Sequence, residues 1–384
     1  MLKAVKVRLY PNSEQKQIIS FQIGGVRYVY NRALSLRKFA YQKFGLKIGK
    51  FALINHITKL KKREKTSWLK KIDSQAIQQS IANMDNAYQN FFRDGGYPKF
   101  KSRHDSKQSY QYPQRVKIEG DKVFLPKVGW VKMKGWRDNF KGKIKTVTVS
   151  YHAYQYHASI LIDIEKEILK SCNKINKTIG IDVGISYVVA DSDGNKVKPL
   201  ELFREIKKLK LRAKQLSRKK KGSNNRDKAK AKLAKANLKI VNKRRDYLHK
   251  LSLQYAENQS IVIVEDLKIK NMTKSAKGTK ESPGKNVKQK AGINRLIIQQ
   301  SWGIFFELLD YKLKDRGGKL IRVNPKYTSQ TCNNCGHVSK ENRQSQSKFV
   351  CTSCGYTANA DINAAKNILD HGIRGNNASL QIAI

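Results

Sequence analysis

The sequence predicts a multidomain protein of α/β and β-barrel class: a small β-barrel split by a helical insertion, then an alternating β/α domain carrying an inserted metal-binding ribbon. Three observations carry that expectation. Apolar residues recur with period two over residues 1–12 and 116–164, with a helix-periodic stretch between them, as strands of one barrel interrupted by helices require. In the second half, short apolar runs at 178–181, 187–190, 261–264 and 319–323 alternate with helical patterns. Near the end, two Cys-x2-Cys pairs stand fifteen residues apart.

Taken in order, Val5, Val7 and Leu9 share one face of the first strand, which Pro11 and Asn12 stop. Residues 13–43 read as helix, with Ile18, Val29, Leu34 and Leu36 as core candidates and Gly24-Gly25 as the expected break. A clearer helix covers 74–92, where Ile77, Ile81, Met84, Tyr88 and Phe91 make one apolar stripe. Residues 95–103 form a basic loop. The pairs Val123/Leu125, Val131/Met133, Val147/Val149 and Ile160/Ile162 then close the barrel with the first strand. The resulting division is a barrel (1–12 and 113–170), a helical insertion (13–112), a second domain (174–326 and 356–372), its ribbon (327–355) and a tail (373–384) without legible pattern. In the second domain Asp193-Gly194 marks a hairpin turn. Residues 200–258 read as two basic helical arms broken at 222–225, the second aligning Leu233, Ile240, Val241, Tyr247, Leu248, Leu251 and Tyr255. Residues 268–290, rich in Lys, Gly and Ser, are expected to form a mobile loop, and 296–313 a helix.

Charge narrows the function. Lys and Arg total 79 against 29 acidic residues, a formal charge of +50 over 384 residues. Such an imbalance repels itself unless a polyanion neutralises it, and nucleic acid is the one whose phosphates suit Lys and Arg. Seventeen tyrosines and four tryptophans accompany the cations, suited to base stacking and equally to packing. No apolar run approaches the ~20 residues of a membrane span, so no membrane partner is expected. The one cysteine outside the pairs, Cys172, and the thiolate motif together point to a reducing cytosol.

The chemistry lies in two constellations. A tetrahedral zinc ion takes four thiolates from two tight turns, and Cys332, Cys335, Cys351 and Cys354 have that spacing, each pair followed by a glycine (Gly336, Gly355). Unrelated pairs or a redox dithiol would not require it. Three carboxylates also stand where a solvated face would not put them. Asp182 ends one apolar strand, Glu265 ends another, and Asp361 opens an apolar-periodic helix. Singly, Asp361 reads as a helix N-cap and Asp182 as a turn residue. Together they follow the order of an RNase H-like fold, where the first and fourth strands are neighbours and the last helix crosses nearby. Converging anions need cations between them. Two Mg2+ ions ~4 Å apart would neutralise the cluster, activate a water and stabilise a leaving phosphodiester oxygen. Asp266 is a weaker candidate because adjacent strand residues point oppositely. There is no Ser-His-Asp pattern or P-loop, and the glycines near Asp182 do not form GxGxxG.

GIDVG at 180–184, VIVEDL at 262–267 and the Cys pairs followed by ADINAA at 360–365, in that order, resemble the TnpB (OrfB) family of transposon-encoded RNA-guided DNA endonucleases, related to type V CRISPR effectors. LYPN at 9–12, VYN at 29–31, TSW at 66–68, YPKFKSR at 97–103, LPKVGWVK at 125–132, LSRKKKGS at 216–223, IVNKRRDYLHKLS at 240–252 and YTSQTCNNCG at 327–336 extend the match along nearly the whole chain. The resemblance implies Asp182, Glu265 and Asp361 as the ligands of two catalytic Mg2+ in a RuvC site, and the four cysteines as ligands of one structural Zn2+. Many members place an aspartate two residues before the last catalytic one; here Asn359 stands there. The resemblance further implies a wedge-like barrel with a helical recognition insertion, which hold a guide RNA from the transposon end and read a short motif in target double-stranded DNA. The protein would act as a monomer per RNA in the prokaryotic cytosol, at the nucleoid. Ser74, Gln75 and Gln78 are candidates for base edges, though a solvated helix start explains any one of them. Lys99, Lys101, Arg103, Lys219, Lys220, Lys221, Arg244 and Arg245 are candidates for phosphates. Two other readings remain at this point: a catalytically silent RNA-guided repressor or transposition accessory, and a plain basic zinc-ribbon RNA-binding protein.

Overall fold

The computed structural model describes residues 2–93, 95–136, 142–164 and 177–380, the last five as backbone only. Cys172 lies outside the described residues, as do 165–170 of the expected barrel and 381–384 of the tail. The chain falls into two units, Met1–Lys166 with Arg212–Lys235 and Glu167–Leu211 with Ala236–Ile384.

In the first unit, strand β1 (Leu2–Tyr10) leads into α1 (Ser13–Phe44), α2 (Lys50–Leu60), a 3-10 turn (Glu64–Lys71) and α3 (Ser74–Phe91). Then follow β2 (Lys107–Tyr112), β3 (Lys117–Glu119), β4 (Lys122–Leu125), β5 (Gly129–Lys134), β6 (Lys143–His152) and β7 (Gln155–Asp163). The strand order is β2-β6-β7-β1-β5-β4-β3, antiparallel throughout. The alternation expected from sequence is realised: Val7, Leu9, Val123, Leu125, Val131, Met133, Val147, Val149, Ile160 and Ile162 are all buried in one core. The closed barrel is not. The sheet is open, with β2 and β3 at its edges. A flat seven-stranded sheet would hold its edges roughly 29 Å apart at ~4.8 Å per strand. Yet β2 and β3 are joined by residues 113–116 alone, which span at most ~17 Å. The sheet therefore curls until its edges approach, and Tyr112 Oη bonds the Pro126 carbonyl at 2.6 Å without a ladder forming between the edges. The sheet resumes at Lys107, ahead of residue 113 where the sequence placed it.

Gly24-Gly25 does not break α1. An Asn12/Gln15 capping box starts this helix and Gly45, at φ 65°, ends it. Gly25 is needed for packing: a Cβ there would lie 2.4 Å from Ile72 Cδ1. Helix α3 is capped by Asp73, which accepts from the Gln75 and Ala76 amides at 3.0 Å. Its stripe Ile77, Ile81, Met84 and Tyr88 is buried.

The second unit contains β8 (Thr178–Asp182), β9 (Val189–Asp191), β10 (Lys196–Val197), α4 (Phe203–Ser217), α5 (Asn224–Asn258) and β11 (Ile261–Glu265), α4 and α5 being counted here only in part. After them come α6 (Ile269–Met272), α7 (Val287–Gln300), α8 (Trp302–Asp315), β12 (Lys319–Val323), β13 (Lys348–Val350), β14 (Thr357–Asn359) and α9 (Ala360–Leu380). The sheet order is β10-β9-β8-β11-β12, with β8, β11 and β12 parallel. On one face Ile179, Ile181, Val262 and Val264 pack with Leu248, Leu251 and Tyr255 of α5 and Phe305, Leu309 and Leu313 of α8. On the other, Ile263 and Val323 pack with Ile368 of α9. Alternate residues of each strand thus serve opposite layers.

Two expectations are corrected here. Residues 268–290 are not patternless: they hold α6, a Gly278–Pro283 bridge and the start of α7. The Lys290 ammonium bonds the Met272 carbonyl at 2.8 Å, and the Asn294 amide bonds the Thr273 carbonyl at 3.0 Å. The single helix expected over 296–313 is two, α7 and α8, broken at Ser301 with φ 58°. No helix of the described residues is long and apolar enough to cross a membrane.

Candidate active site and cysteine cluster

Parity along two neighbouring strands sets the acidic residues. In β8, Ile179 and Ile181 face α5 and α8, so Gly180 and Asp182 face α9. In β11, Val262 and Val264 face α5 and α8 while Ile263 faces α9, so Glu265 also faces α9. Ile181 lies beside Val264 in the parallel register, and the next residues of the two strands are Asp182 and Glu265. Asp266 points away and pairs with Lys268 at 2.5 Å.

Helix α9 brings the third carboxylate, and two glycines let it approach. A Cβ at Gly180 would lie 2.2 Å from the Ala365 carbonyl oxygen, and one at Gly372 would lie 2.4 Å from Ile263 Cδ1. The helix is capped by Asn359, whose side chain accepts from the Asp361 amide at 3.1 Å and the Ile362 amide at 3.4 Å. Asp361 is therefore not the N-cap, and its carboxylate is free to face the cleft.

The three carboxylates line one cleft of about 300 Å³, together with 183–186 after β8, Pro325, Thr328, Arg343 and Gln346. Burial, then the neighbouring Glu265 and Asp361 charges, push the Asp182 carboxyl up to about 7, against a pull from Arg343. Burial also raises Glu265, which the Thr328 hydroxyl partly offsets. Asp361 is raised by burial, opposed by Arg343 and Lys196. Arg343 Nη2 stands 3.7 Å from Asp361 Oδ1, and the Gln346 amide bonds Ser186 Oγ at 3.3 Å. Residues from the segment between the cysteine pairs thus form one wall of the cleft. The concentration of negative charge, held partly out of water, is what a divalent cation would neutralise.

The cysteines form a second cluster. Their ligating atoms all lie within 4.8 Å of one another. The Cys332–Cys354 and Cys335–Cys351 sulfurs are 3.8 and 3.6 Å apart, close to the ~3.8 Å edge of a tetrahedron with ~2.3 Å metal–sulfur bonds. Two matched turns produce this. The Gly336 amide bonds the Cys332 carbonyl and the Gly355 amide the Cys351 carbonyl, with Gly336 at φ 77° and Gly355 at φ 71°. A hydrogen bond from the Tyr356 amide holds the Cys354 thiol down to about 6, while burial raises Cys332 and Cys335 is pushed up to about 12, so the case for a metal rests on the sulfur geometry. The set fits a tetrahedral zinc ion.

The nucleic-acid candidates divide. Ser74, Gln78, Lys99, Arg103, Lys219, Lys220, Lys221 and Arg245 are exposed. Gln75 is only 9% exposed, so its amide does not reach out from the α3 start. The Lys101 ammonium lies 4.0 Å from the centre of the Tyr30 ring, and its backbone amide bonds Asn31; it packs as much as it presents charge. Arg244 is half-buried beside Tyr247 and Leu248. Sequence reasoning missed Arg343, Thr328 and the capping role of Asn359. Arg343 is one cation among many, and only the fold singles it out. Thr328 lies inside the family-like stretch YTSQTC at 327–332, but its hydroxyl direction has no sequence signal.

Three family profiles match the chain: one described as "Helix-turn-helix domain" over residues 1–46, one as "Probable transposase" over 159–276 and one as "Cas12f1-like, TNB domain" over 302–368. Residues in the first of these here form β1 and the uninterrupted α1. The chain is 40% identical over 375 residues to "Putative RNA-guided DNA endonuclease InsQ" of Escherichia coli (strain K12), covering 97% of this chain and 92% of that protein. It is 30% identical over 378 residues to "Putative RNA-guided DNA endonuclease" of Streptomyces pristinaespiralis, covering 97% and 89%. Among solved structures it resembles the protein of a Cas12f1–sgRNA–target DNA complex, with TM-score 0.55 and 16% identity over 96% of this chain and 98% of that one, a likeness of fold.

Proposed function

The chain belongs to the TnpB (OrfB) family of transposon-encoded RNA-guided DNA endonucleases, and from that premise we propose that it cuts DNA at the Asp182–Glu265–Asp361 cleft, where pairing with a guide RNA directs it. The observation that carries this reading is the convergence of three carboxylates, from two adjacent strand ends and a separately capped helix, on one cleft. Among the described residues, the cysteines are the one group of three or more possible ligands whose atoms all lie within 4.8 Å of one another. Two Mg2+ ions held among the three carboxylates would together activate the attacking water and stabilise the leaving oxygen. Asp182, Glu265 and Asp361 would hold them as in a RuvC, RNase H-like site. Arg343, at the mouth, would draw the scissile phosphate towards the carboxylates.

In the same reading Cys332, Cys335, Cys351 and Cys354 hold one structural Zn2+, and the first unit's curled sheet and helices grip the guide RNA and the target-adjacent duplex. The exposed Lys99, Arg103, Lys219, Lys220, Lys221 and Arg245 meet phosphates, while Ser74 and Gln78 face base edges. The protein supplies shape recognition and short-motif readout, and the guide supplies sequence choice. A silent RNA-guided repressor is the weaker reading because all three carboxylates are in place. The test is Mg2+-dependent cleavage of a matched duplex by the purified protein with its co-purifying RNA. Cleavage that disappears with Asp182→Ala, with EDTA or with a mismatched target supports the reading. Cleavage that persists in Asp182→Ala overturns it.

A further inference from the structure

Thr328 is 2% exposed and donates its hydroxyl to Glu265 Oε1 at 2.5 Å, its Oγ1 also lying 3.1 Å from the Pro325 carbonyl. Its own carbonyl accepts from the Asn367 amide at 2.9 Å, and the same amide reaches the Thr331 carbonyl at 2.7 Å. One turn earlier on α9, the Asn363 amide donates to the Thr331 carbonyl at 2.8 Å, while its oxygen accepts from the Asn333 backbone amide at 3.1 Å. The Asn333 side chain donates to Asp370 Oδ2 at 2.7 Å and to Oδ1 of Asn367, the residue that holds the Thr328 carbonyl, at 3.3 Å. Asn333 lies between the ligating Cys332 and Cys335. Asn363 and Asn367 are 0% and 3% exposed. Asparagine is a poor helix former and costs free energy when buried without partners, and here both amides are used to fasten α9 to the first cysteine turn.

From this chain of bonds we infer that Thr328 is a positioning residue for Glu265, held in place by the first cysteine turn through the asparagine ladder of α9. A hydroxyl bond to one carboxylate oxygen restricts the rotation of the Glu265 side chain and leaves Oε2 available to a cation. Without it, a carboxylate on two further rotatable bonds would sample orientations that cannot bind a cation together with Asp182. The cysteine cluster would then hold the geometry of the acidic cleft as well as the ribbon. This inference rests on the proposed reading of Asp182, Glu265 and Asp361 as cation ligands.

The experiment uses the full chain with its co-purified RNA and reads Mn2+ binding by electron paramagnetic resonance beside the cleavage rate. Thr328→Val is expected to weaken Mn2+ binding and cleavage by about tenfold or more, as loss of a hydrogen bond to a ligating carboxylate does, and raised Mg2+ should recover part of the rate. Thr328→Ser should restore both to within about twofold, because it keeps the hydroxyl. Thr328→Ala removes the same hydroxyl and carries the test should the valine variant not fold. Asn333→Ala should weaken Mn2+ binding as well, with zinc content unchanged. Wild-type Mn2+ affinity in both Thr328→Val and Thr328→Ala, or a serine variant as impaired as they are, overturns the positioning role. Wild-type affinity in Asn333→Ala overturns its support by the cysteine turn. Asp182→Ala separates the two levels: full activity there sinks the nuclease reading itself, whereas an inactive Asp182→Ala beside a normal Thr328→Val sinks only this inference.

Discussion

The two clusters gather side chains of metal-ligating type by opposite routes. The four cysteines come from one short segment, and two local turns point their sulfurs inward. The three carboxylates come from positions 182, 265 and 361 and line one cleft only because β8 and β11 are parallel neighbours and α9 lies close across them. A local site is written into spacing, whereas a distributed one is written into topology. The two should accordingly fail differently. Asp182→Ala should abolish cleavage, a loss of about a thousandfold or more where a ligand of a catalytic ion pair is removed, while zinc content, RNA binding and melting temperature stay near wild type. Cys332→Ser should do the reverse in order of events. Structural zinc in small domains contributes on the order of 10 kcal/mol, so the segment around the two cysteine turns should become protease-sensitive first and cleavage should fall as a consequence. Equal loss of folding in both variants would erase the distinction.

That contrast also explains what the sequence disclosed. The cysteine set, the strand-end positions of Asp182 and Glu265 and the start of α9 at Asp361 all follow from periodicity and spacing, which are short-range signals. The open edge of the first sheet was not legible, because alternation tells which face a residue takes and not whether β2 pairs with β3. Gly24-Gly25 was misread for a related reason. Propensity marks glycine as a break, but the close approach of Ile72 to Gly25 is tertiary and overrides it. Arg343 and Thr328 became visible only once residues 328 and 343 were folded back onto the strand ends.

Gly180 sharpens the comparison, since it serves the distributed site alone. Its Cβ position falls 2.2 Å from the Ala365 carbonyl oxygen, which is backbone and cannot swing aside. Gly180→Ala should therefore push α9 outward, costing about 1–3 kcal/mol as overpacking does. Cleavage should fall more than stability because Asp361 moves with the helix. A melting curve set beside single-turnover rates decides it, and a variant with both unchanged would mean that α9 can shift without disturbing the cleft. Gly336 offers the matching control at the cysteine cluster: its φ is 77°, so alanine there should act on zinc retention before cleavage.

Protons probe the same cleft more gently. With no cation bound, Asp182 holds its proton up to about 7, against an ordinary aspartate value near ~4. The folded chain therefore binds more protons than the unfolded chain between those values, and cation-free stability should fall as pH rises from about 4 to about 7 and then level off. Divalent binding has the opposite sign, because the ion must displace that proton. The Mg2+ concentration for half-maximal cleavage should fall by about tenfold per unit as pH rises towards 7 and flatten above it. Flat Mg2+ dependence from pH 5.5 to 8.5 would mean that Asp182 is already ionised in the resting cleft.

The smallest expected effect concerns charges that neither cluster uses. Lys219, Lys220 and Lys221 lie exposed between α4 and α5, whereas Gln75 is enclosed at the start of α3. Replacing the three lysines with glutamine should weaken RNA or DNA binding uniformly across sequences and reduce the salt slope by about 1 for each phosphate no longer neutralised. Gln75→Ala should leave the slope untouched and act, if at all, on the melting temperature, because an enclosed amide contributes to packing rather than to counterion release. Binding isotherms at several salt concentrations separate these outcomes. An unchanged slope in the triple-lysine variant would assign those charges to solvent, leaving Lys99, Arg103 and Arg245 as the remaining exposed basic candidates for the backbone.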